Sequence, residues 1–345
     1  MQIVKTESDL EKIRAGAVLT IGNFDGVHIG HRAILSAAKR IAEQKQTEIV
    51  VMTFQPHPLS VLNPQKAPSP LMPPVLKEHF LAELGVDILF TAKSEPEILS
   101  LTAEDFVGRF IVKGIRPSVI VEGKDFNFGH KRAGSVHTLQ KLAGAKGIDV
   151  VVVEPKKAKL PPCLPVGRQE RGQTIEVSST VIRDMLTKGE ATDAAILLGR
   201  PYRLIGNIVP GRGKGKHLGF PTLNLQKPQQ LIPAEGVYAG LVEIGNDETQ
   251  VCSIRLGMAY ATKEKIPAAF SIGRTTTYGA GQSLLIEAHL LIDNAEQFTG
   301  RWMAMDFIER IRGQQKFETE KALAEQIDRD CRKAQQILRN EIMNL

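Results

Sequence analysis

The chain has 345 residues, enough for two domains of ordinary size, and 42% of them are hydrophobic, as in globular proteins that bury a core. Its 44 Lys and Arg residues against 38 Asp and Glu residues give a net charge of +6, which suits anionic substrates such as nucleotides but is too evenly spread for a polybasic nucleic-acid tract. The 3 cysteines are far apart and odd in number, so nothing suggests a disulfide framework. The lack of a signal-like or bilayer-length apolar run predicts a cytoplasmic protein without a membrane partner. No nucleic-acid or obligatory protein partner is expected.

Short apolar runs alternate with helical patterns through the first half of the chain. The runs at 48–54 and 148–153 are continuously apolar and β-branched, as is typical of strands buried on both faces. The segments 32–45 and 102–113 each carry one apolar helical face. This alternation predicts a doubly wound parallel α/β sheet. Its expected strands are 17–21, 48–54, 86–90, 118–121 and 148–153.

The pattern changes from about Arg200 onwards. Apolar, β-prone runs recur between turns rich in Gly and Pro, without helical patterns between them, which predicts an antiparallel barrel or sandwich. A charged amphipathic helix is expected over 319–341. We therefore expect two domains, 1–186 and 187–345, and read the basic, Pro-rich stretch 156–173 as a surface loop. The expected strands of the second domain are 202–209, 237–244, 268–272, 283–292 and 301–311.

The sharpest local signal is the segment 21–31, IGNFDGVHIGH, between the first expected strand and the first helix. Nucleotides bind at such a junction, because the helix N-terminus offers free N–H groups and a positive dipole to phosphate. His28 and His31 are three residues apart, so both imidazoles can stabilise charge on the phosphates. A glycine-rich turn with a histidine can also be only a helix cap, but its position favours the functional interpretation.

A second polar segment, SSTVIR, precedes the last helix of the first half. Ser179 and Thr180 could cap that helix and donate to phosphate, and Arg183 would add positive charge. Taken alone, this segment is better explained as an ordinary N-cap.

The second half contains the segment 211–225, GRGKGKHLGFPTLNL. Its glycines could fold over phosphate, and its basic side chains supply positive charge, although it does not match a Walker A loop. The expected phosphate-binding residues are Gly211, Gly213, Lys214, Gly215 and Lys216.

Three further polar residues of this half suggest phosphoryl transfer. Thr222 and Asn224 alternate with apolar residues, so in a strand both would face one side and offer hard oxygen ligands to Mg²⁺. Glu287 interrupts a strongly apolar run, LLIEAHLLI, and is a candidate general base. A polar edge strand and a solvent-facing glutamate are the plainer interpretations.

Taken in order, the motifs resemble a known family. GNFDGVHIGH, TFQPHP, EGKDFNFGHKRAG and VSSTVIR are similar to the adenylyltransferase module of prokaryotic bifunctional riboflavin kinase/FAD synthetases, and GKHLGFPTLN with LLIEAHLLI is similar to its kinase module. The resemblance implies a Rossmann-like, HIGH-type nucleotidylyltransferase domain followed by an antiparallel β-barrel kinase domain with a terminal helix.

The resemblance also implies residue roles. ATP in the first domain would be surrounded by Gly22, Asn23, Phe24, Asp25, Gly26, His28, Gly30, His31, Ser179, Thr180 and Arg183. The FMN/ATP pocket beside it would use Pro56, His57, Pro58, Asp125, Phe126 and Gly129. In the kinase, Glu287 would take the proton of the ribityl 5′-hydroxyl, and the segment with Arg312 and Phe317 would lie near the flavin ring.

The implied chemistry is phosphorylation of riboflavin by ATP to FMN, followed by attack of FMN on the α-phosphorus of ATP to give FAD and pyrophosphate, with Mg²⁺ as the cofactor. Three alternatives stay open. The chain could be a HIGH-type enzyme for another substrate with an RNA-binding β-domain, although no KMSKS-like motif is present. It could be a non-catalytic flavin or nucleotide sensor, or an enzyme that keeps only one of the two activities.

Overall fold

The computed structural model describes residues 1–161, 174–211, 213–252, 265–277, 280–292 and 301–343. The chain divides into two compact units. The first unit comprises Met1–Ser69, Lys77–Lys159 and 174–177, and the second comprises Pro70–Leu76, 160–161 and the described residues from Ser178 onwards. Within the described ranges, none of the helices combines the length and the apolar character that crossing a bilayer requires.

The first unit is built on a six-stranded parallel sheet with the strand order β1-β4-β3-β2-β5-β8. The expected doubly wound sheet is thereby confirmed. Two features of the order matter for function: β2 is central, and its neighbours β3 and β5 lie on opposite sides of it. The strands of this unit are β1 (Gln2–Val4), β2 (Val18–Ile21), β3 (Ile49–Gln55), β4 (Ile88–Lys93), β5 (Val119–Gly123), β6 (Asn127–Phe128), β7 (Gly134–Ser135), β8 (Asp149–Val153), β9 (Lys157–Lys159) and β10 (Thr174–Glu176).

Helices cover the sheet and bury its apolar side chains. Leu35, Ala38 and Ala42 form the buried face of α1, as the period of the sequence predicts. The expected helix 102–113 is in fact a short α-helix that continues as a π-helix, Val107–Ile115. The α-helices are α1 (Ile29–Lys45), α2 (Pro58–Leu62), α3 (Pro74–Glu83), α4 (Pro96–Leu99), α5 (Ala103–Phe106) and α6 (Val136–Gly144), and 3₁₀ turns occur at Glu7–Lys12, Pro64–Lys66 and His130–Arg132.

The second unit is a closed antiparallel barrel with the order β11-β12-β15-β14-β13-β16, in which β16 pairs back with β11. A barrel rather than a sandwich is therefore present. Its strands are β11 (Tyr202–Val209), β12 (Leu223–Leu225), β13 (Gly236–Gly245), β14 (Ile266–Thr277), β15 (Ala280–Leu290) and β16 (Trp302–Arg312).

Helices also occur before, between and after these strands. The expectation that no helix lies between the strands was wrong, because α9 and α10 are too short to produce a helical period in the sequence. The helices of this unit are α7 (Ser179–Lys188), α8 (Ala191–Leu198), α9 (Lys214–His217), α10 (Glu248–Cys252) and α11 (Glu320–Met343).

Aromatic rings pack inside the barrel, and buried ion pairs connect side chains of its wall. Tyr238 and Phe270 each meet the ring of Phe307 edge-on, with centroids 5.2 Å and 5.1 Å away. In the wall, the buried Asp306 carboxylate accepts from Arg203 Nη2 at 2.6 Å and Lys265 Nζ at 2.8 Å. Burial alone would raise the pKa of Asp306, but these two cations hold it below its usual range. The buried charges of the wall are therefore paired, as burial requires.

The terminal helix α11 packs on the outside of the barrel. Ala334, Ile337 and Leu338 contact an apolar patch that includes Ala239 and Leu241 of β13. This packing explains why a helix with a charged outer face is stable here.

Candidate active sites

The two histidines of the first unit lie together at the N-terminus of α1. His28 is the N-cap residue, and its Nδ1 accepts the His31 backbone N–H at 3.3 Å. The two rings are stacked, with centroids 3.6 Å apart and planes 15° from parallel. A neutral imidazole that accepts at Nδ1 carries its proton on Nε2, which makes Nε2–H a donor of the kind a phosphate oxygen needs.

The loop between β2 and α1 holds strained backbone at the same place. Phe24 and Val27 have φ angles of 47° and 37°, in the left-handed region that non-glycine residues rarely adopt. Residues in such regions cost about 1–3 kcal/mol each and persist only where their surroundings fix them. The Phe24 ring lies 5.1 Å from the His31 ring, and Asp25 and Gly26 complete the turn. Gly22 and Gly30 flank it, each close to a ring, Gly22 to Phe24 and Gly30 to His28.

The PHP segment follows β3 and contacts this loop. His57 caps α2, with its Nδ1 accepting the Leu59 N–H at 3.2 Å, and its Nε2 lies 3.1 Å from Asn23 Nδ2. Because the His57 Nδ1 accepts a hydrogen bond, the neutral ring carries its proton on Nε2 and donates from there. The Asn23 amide therefore accepts this hydrogen bond through its oxygen, with the amide turned so that the oxygen faces the ring. Pro56 is joined to Gln55 by a cis peptide bond, and Pro58 is the first residue of α2.

A carboxylate that the sequence interpretation missed lies under the loop. Glu122, near the end of β5, is 2% exposed, and its Oε1 accepts the Ile21 N–H at 2.5 Å. Strands β2 and β5 pair at Val18 and Leu19. At Ile21 the backbone N–H donates instead to the Glu122 side chain, so Glu122 connects the two strands beyond their paired residues. Burial raises the pKa of Glu122 well above its usual value, against the hydrogen bond from Ile21. A glutamate in an otherwise apolar strand was the available signal.

The DFNFG segment after β5 supplies an exposed carboxylate and two stacked rings. Asp125 is exposed, and the Phe126 and Phe128 rings lie 5.5 Å apart at 15°. Gly129 has a positive φ of 73° and packs against the backbone of Ala103. The half-buried Phe126 ring offers a flat apolar surface of the kind on which an aromatic ligand stacks.

The SSTVIR segment begins α7 in the second unit. The N-cap is Ser178, whose side chain accepts the Val181 N–H at 3.3 Å. The expectation that Ser179 or Thr180 caps the helix was therefore wrong, because these residues already occupy its first turn. Their backbone N–H groups belong to the helix N-terminus that can bind an anion. The roles of Ser179, Thr180 and Arg183 in nucleotide binding stay predictions.

The barrel aligns three polar residues across three neighbouring strands. Asn224 of β12 is directly opposite Glu287 of β15, and Glu287 is directly opposite Ser271 of β14. Opposite residues of antiparallel strands point to one face with Cβ atoms about 5 Å apart, so these side chains are neighbours. Asn224 is buried, and Thr222 precedes it by two residues on the extended chain, which favours the same face. Sequence reasoning missed Ser271, because strand register is not visible in the sequence.

The glycine-rich loop lies directly against this row. A Cβ at Gly211 would collide with Asn224 Nδ2, and one at Gly215 would collide with the Phe220 carbonyl oxygen and lie 3.3 Å from Thr222 Oγ1. The loop can therefore approach the row only because it lacks side chains at these points. Gly213 has a positive φ of 73°, Lys216 is exposed, and the side chain of Lys214 lies outside the described part of the chain.

His289 fixes the turn that precedes the row. Its Nδ1 lies 2.8 Å from the Pro221 carbonyl oxygen, to which it donates, and its ring meets Phe220 edge-on at 5.5 Å. These contacts give His289 a structural role beside Thr222.

The segment after β16 returns to the same part of the barrel. Arg312 binds both oxygens of Asp330 on α11, with Nη2 2.6 Å from Oδ2, and its guanidinium lies 5.9 Å from the centroid of the Phe317 ring. Gln314 Nε2 donates to the Ile272 carbonyl at 2.8 Å and lies 3.3 Å from Ser271 Oγ. Arg312 is thus engaged by the terminal helix, and its predicted contact with a flavin stays a prediction.

Residues 10–160 match the FAD synthetase family, and residues 198–338 match the riboflavin kinase family. Bifunctional riboflavin kinase/FMN adenylyltransferases from Escherichia coli K12 and Bacillus subtilis are 35% and 32% identical to this chain, covering 91% and 94% of it and 90% and 93% of their own lengths. The Haemophilus influenzae enzyme of the same name is 30% identical over 97% of this chain and 98% of its own.

A crystal structure described as a macrolide-efflux protein from Streptococcus pneumoniae aligns with a TM-score of 0.76 and 27% identity, covering 96% of this chain and 97% of that one. The family matches divide the chain as the motifs do, and they confirm the predicted family and the predicted pair of transferase activities. The chain belongs to the family of bifunctional riboflavin kinase/FMN adenylyltransferases.

Proposed function

We propose that the barrel domain phosphorylates riboflavin to FMN and that the parallel-sheet domain adenylylates FMN to FAD. The observation that carries the proposal is that each family match contains one cluster of polar side chains: the stacked His28 and His31 pair in the first, and the Asn224–Glu287–Ser271 row in the second. We assign the first activity to domain 187–345 and the second to domain 1–186.

In the kinase, Glu287 is the general base. A carboxylate that faces the ribityl 5′-hydroxyl removes its proton as the oxygen attacks the γ-phosphorus of ATP. The glycine-rich loop comes close to Asn224 and Thr222 because Gly211 and Gly215 have no side chains, and it offers backbone N–H groups and lysine charge to the phosphates. In this proposal riboflavin and ATP meet at Glu287, which lies between Asn224 and Ser271 in the row.

The kinase residues fit a magnesium ion. The Thr222 hydroxyl and the buried Asn224 amide are neutral oxygen donors beside the Glu287 carboxylate, a donor set that Mg²⁺ accepts together with phosphate oxygens and water. Thr222 and Asn224 would hold the ion, which when bound would offset the charge of the ATP phosphates.

In the adenylyltransferase, the FMN phosphate attacks the α-phosphorus of ATP and pyrophosphate leaves. The attacking phosphate is already ionised at neutral pH, so the site needs positioning and charge stabilisation rather than a base. The Nε2–H donor of His28, the stacked His31 imidazole and the N-terminus of α1 would supply that stabilisation. The half-buried Phe126 ring offers the flavin a stacking surface.

The proposed substrates are riboflavin, FMN and ATP, with Mg²⁺ as the cofactor, in the cytoplasm and without an obligatory protein, nucleic-acid or membrane partner. The net charge of +6 suits the two anionic substrates, FMN and ATP.

Isotope position tests the proposal. With riboflavin and ATP labelled at the γ-phosphorus, label should appear first in FMN and then in FAD, because FAD retains the phosphate of FMN. With ATP labelled at the α-phosphorus, FAD should be labelled and FMN should not. An absence of both products would contradict the proposal, and label in FMN alone would leave only the kinase. Label from the α-position in another product would indicate a different adenylyl acceptor.

A further inference from the structure

A lysine that no sequence motif singled out reaches the underside of the nucleotide loop. Lys77 lies on α3, and its Nζ is 3.4 Å from the Asn23 carbonyl oxygen and 3.4 Å from Thr53 Oγ1. The fully buried Thr53 hydroxyl donates to the same Asn23 carbonyl at 3.4 Å. Two donors from two different elements therefore converge on one carbonyl oxygen.

The Asn23 carbonyl lies at the start of the strained turn of this loop. Asn23 directly precedes Phe24, the first of the two residues with positive φ, and its side-chain amide contacts His57. Because positive φ at a bulky residue persists only where the surroundings enforce it, the contacts on Asn23 help to hold the turn. Lys77 thus acts on the loop that leads from β2 into the His28–His31 pair.

The charge environment of Lys77 suits a nearby anion. Burial lowers the pKa of Lys77, and the carboxylates of Asp25 in the loop and Glu78 on its own helix partly offset that effect. The Asn23 carbonyl and the Thr53 hydroxyl, which accept from Nζ, are neutral oxygens at 3.4 Å, which is long for a charged hydrogen bond. Other titratable groups also lie beside this loop: His57 contacts the Asn23 amide, His28 and His31 stand at its end, and Glu122 accepts the Ile21 N–H beneath it. A bound polyphosphate would supply negative charge that the neutral acceptors do not.

We propose that Lys77 is a positioning residue of the adenylyl-transfer site, which fixes the Asn23–Phe24 turn and contributes positive charge beneath the ATP phosphates. This inference rests on the proposed adenylyltransferase function. It assigns to α3 a part in ATP binding, and it predicts that the ammonium form is the active one, because only that form contributes the charge.

The test compares three variants of the full chain. Lys77→Met keeps most of the aliphatic stem and removes the charge, Lys77→Arg keeps the charge at all accessible pH values, and Lys45→Met removes an exposed charge at the far end of α1. With FMN and ATP as substrates, Lys77→Met should lower kcat/KM for ATP about 10- to 100-fold, as expected for loss of a half-buried charge at a phosphate site. Lys45→Met should match the wild type, and riboflavin phosphorylation should be unchanged in all three.

The pH profile separates a charge role from a merely structural one. In the wild type, KM for ATP should rise at alkaline pH as Lys77 loses its proton, at a lower pH than an ordinary lysine would. In Lys77→Arg this rise should be absent, and in Lys77→Met KM should be high at every pH. Wild-type kinetics in Lys77→Met, or an unchanged alkaline rise in Lys77→Arg, would overturn the inference. If Lys77→Met does not fold, the Lys77→Arg profile decides. If the wild type makes no FAD from FMN, the proposed function itself has failed.

Discussion

Asn224 and Glu287 lie directly opposite each other on β12 and β15, although 63 positions separate them along the chain. The pairing joins the candidate metal ligand and the candidate base on one face of the barrel. The register that aligns them also aligns Ser271 on the next strand. The arrangement of the kinase site therefore depends on the strand register, because a shift of one residue in the pairing would turn Glu287 to the opposite face of the barrel wall.

Glu287→Gln tests the base directly. The amide keeps the size and the hydrogen-bonding capacity of the side chain but cannot take a proton at neutral pH, so kcat for FMN formation should fall about 100- to 10,000-fold. Riboflavin binding, measured by fluorescence titration, should stay within a few-fold of wild type. Formation of FAD from added FMN serves as the control in the same chain. Undiminished turnover of riboflavin would remove Glu287 from the mechanism.

Gly215→Ala tests the close approach of the phosphate loop. The new methyl group would meet the Phe220 carbonyl oxygen, which belongs to the backbone and cannot rotate away, so the loop must move. Because a displacement of about 1 Å can reduce rate about 100-fold, kcat/KM for ATP in riboflavin phosphorylation should fall by roughly that factor. The matched control is Gly144→Ala in α6, where a Cβ would meet no atom within 4 Å. Equal activity of the two variants would show that the loop does not approach Thr222 in the working enzyme.

Glu122→Gln should change the pH dependence of stability. Folding raises the pKa of Glu122, so its favourable contribution is fully present below the unfolded pKa, near 4.5, and is lost as pH rises through the folded pKa. Each unit of upward shift costs about 1.4 kcal/mol above both values. Glutamine can still accept the Ile21 N–H but does not ionise. Urea unfolding of the first domain should therefore give similar stabilities at pH 4.5 and a more stable variant at pH 8. A wild-type advantage that grows with pH would contradict this account.

The sequence predicted both folds because their signals are local. The run 202–209 is β-prone and lies just before Pro210, and it forms the strand Tyr202–Val209. The strand Gln2–Val4 escaped prediction because three residues give no period, and α10 did so for the same reason. The HIGH and FPTLN motifs were visible because each is contiguous.

The rest of the sites depends on contacts between distant positions. Glu122 meets Ile21 across 101 positions, and Lys77 meets Asn23 across 54. Both contacts depend on strand order and on which turn of a helix faces the loop, neither of which a single sequence displays. The interruption of an apolar strand by a carboxylate did mark Glu287, and the same rule applied to β5 would have marked Glu122.

The central claim is that one chain holds two independent ATP-using sites, and paired variants test it most directly. His28→Ala removes one donor from the adenylyltransferase, and such losses reduce kcat about 100- to 1,000-fold. Supplied with riboflavin, ATP and Mg²⁺, His28→Ala should accumulate FMN with little FAD, and Glu287→Gln should make neither. A mixture of the two variants should make FAD, since FMN released by one is adenylylated by the other. FAD formation at the wild-type rate by His28→Ala alone would contradict the claim. So would a mixture of the two variants that makes no FAD from riboflavin and none from added FMN.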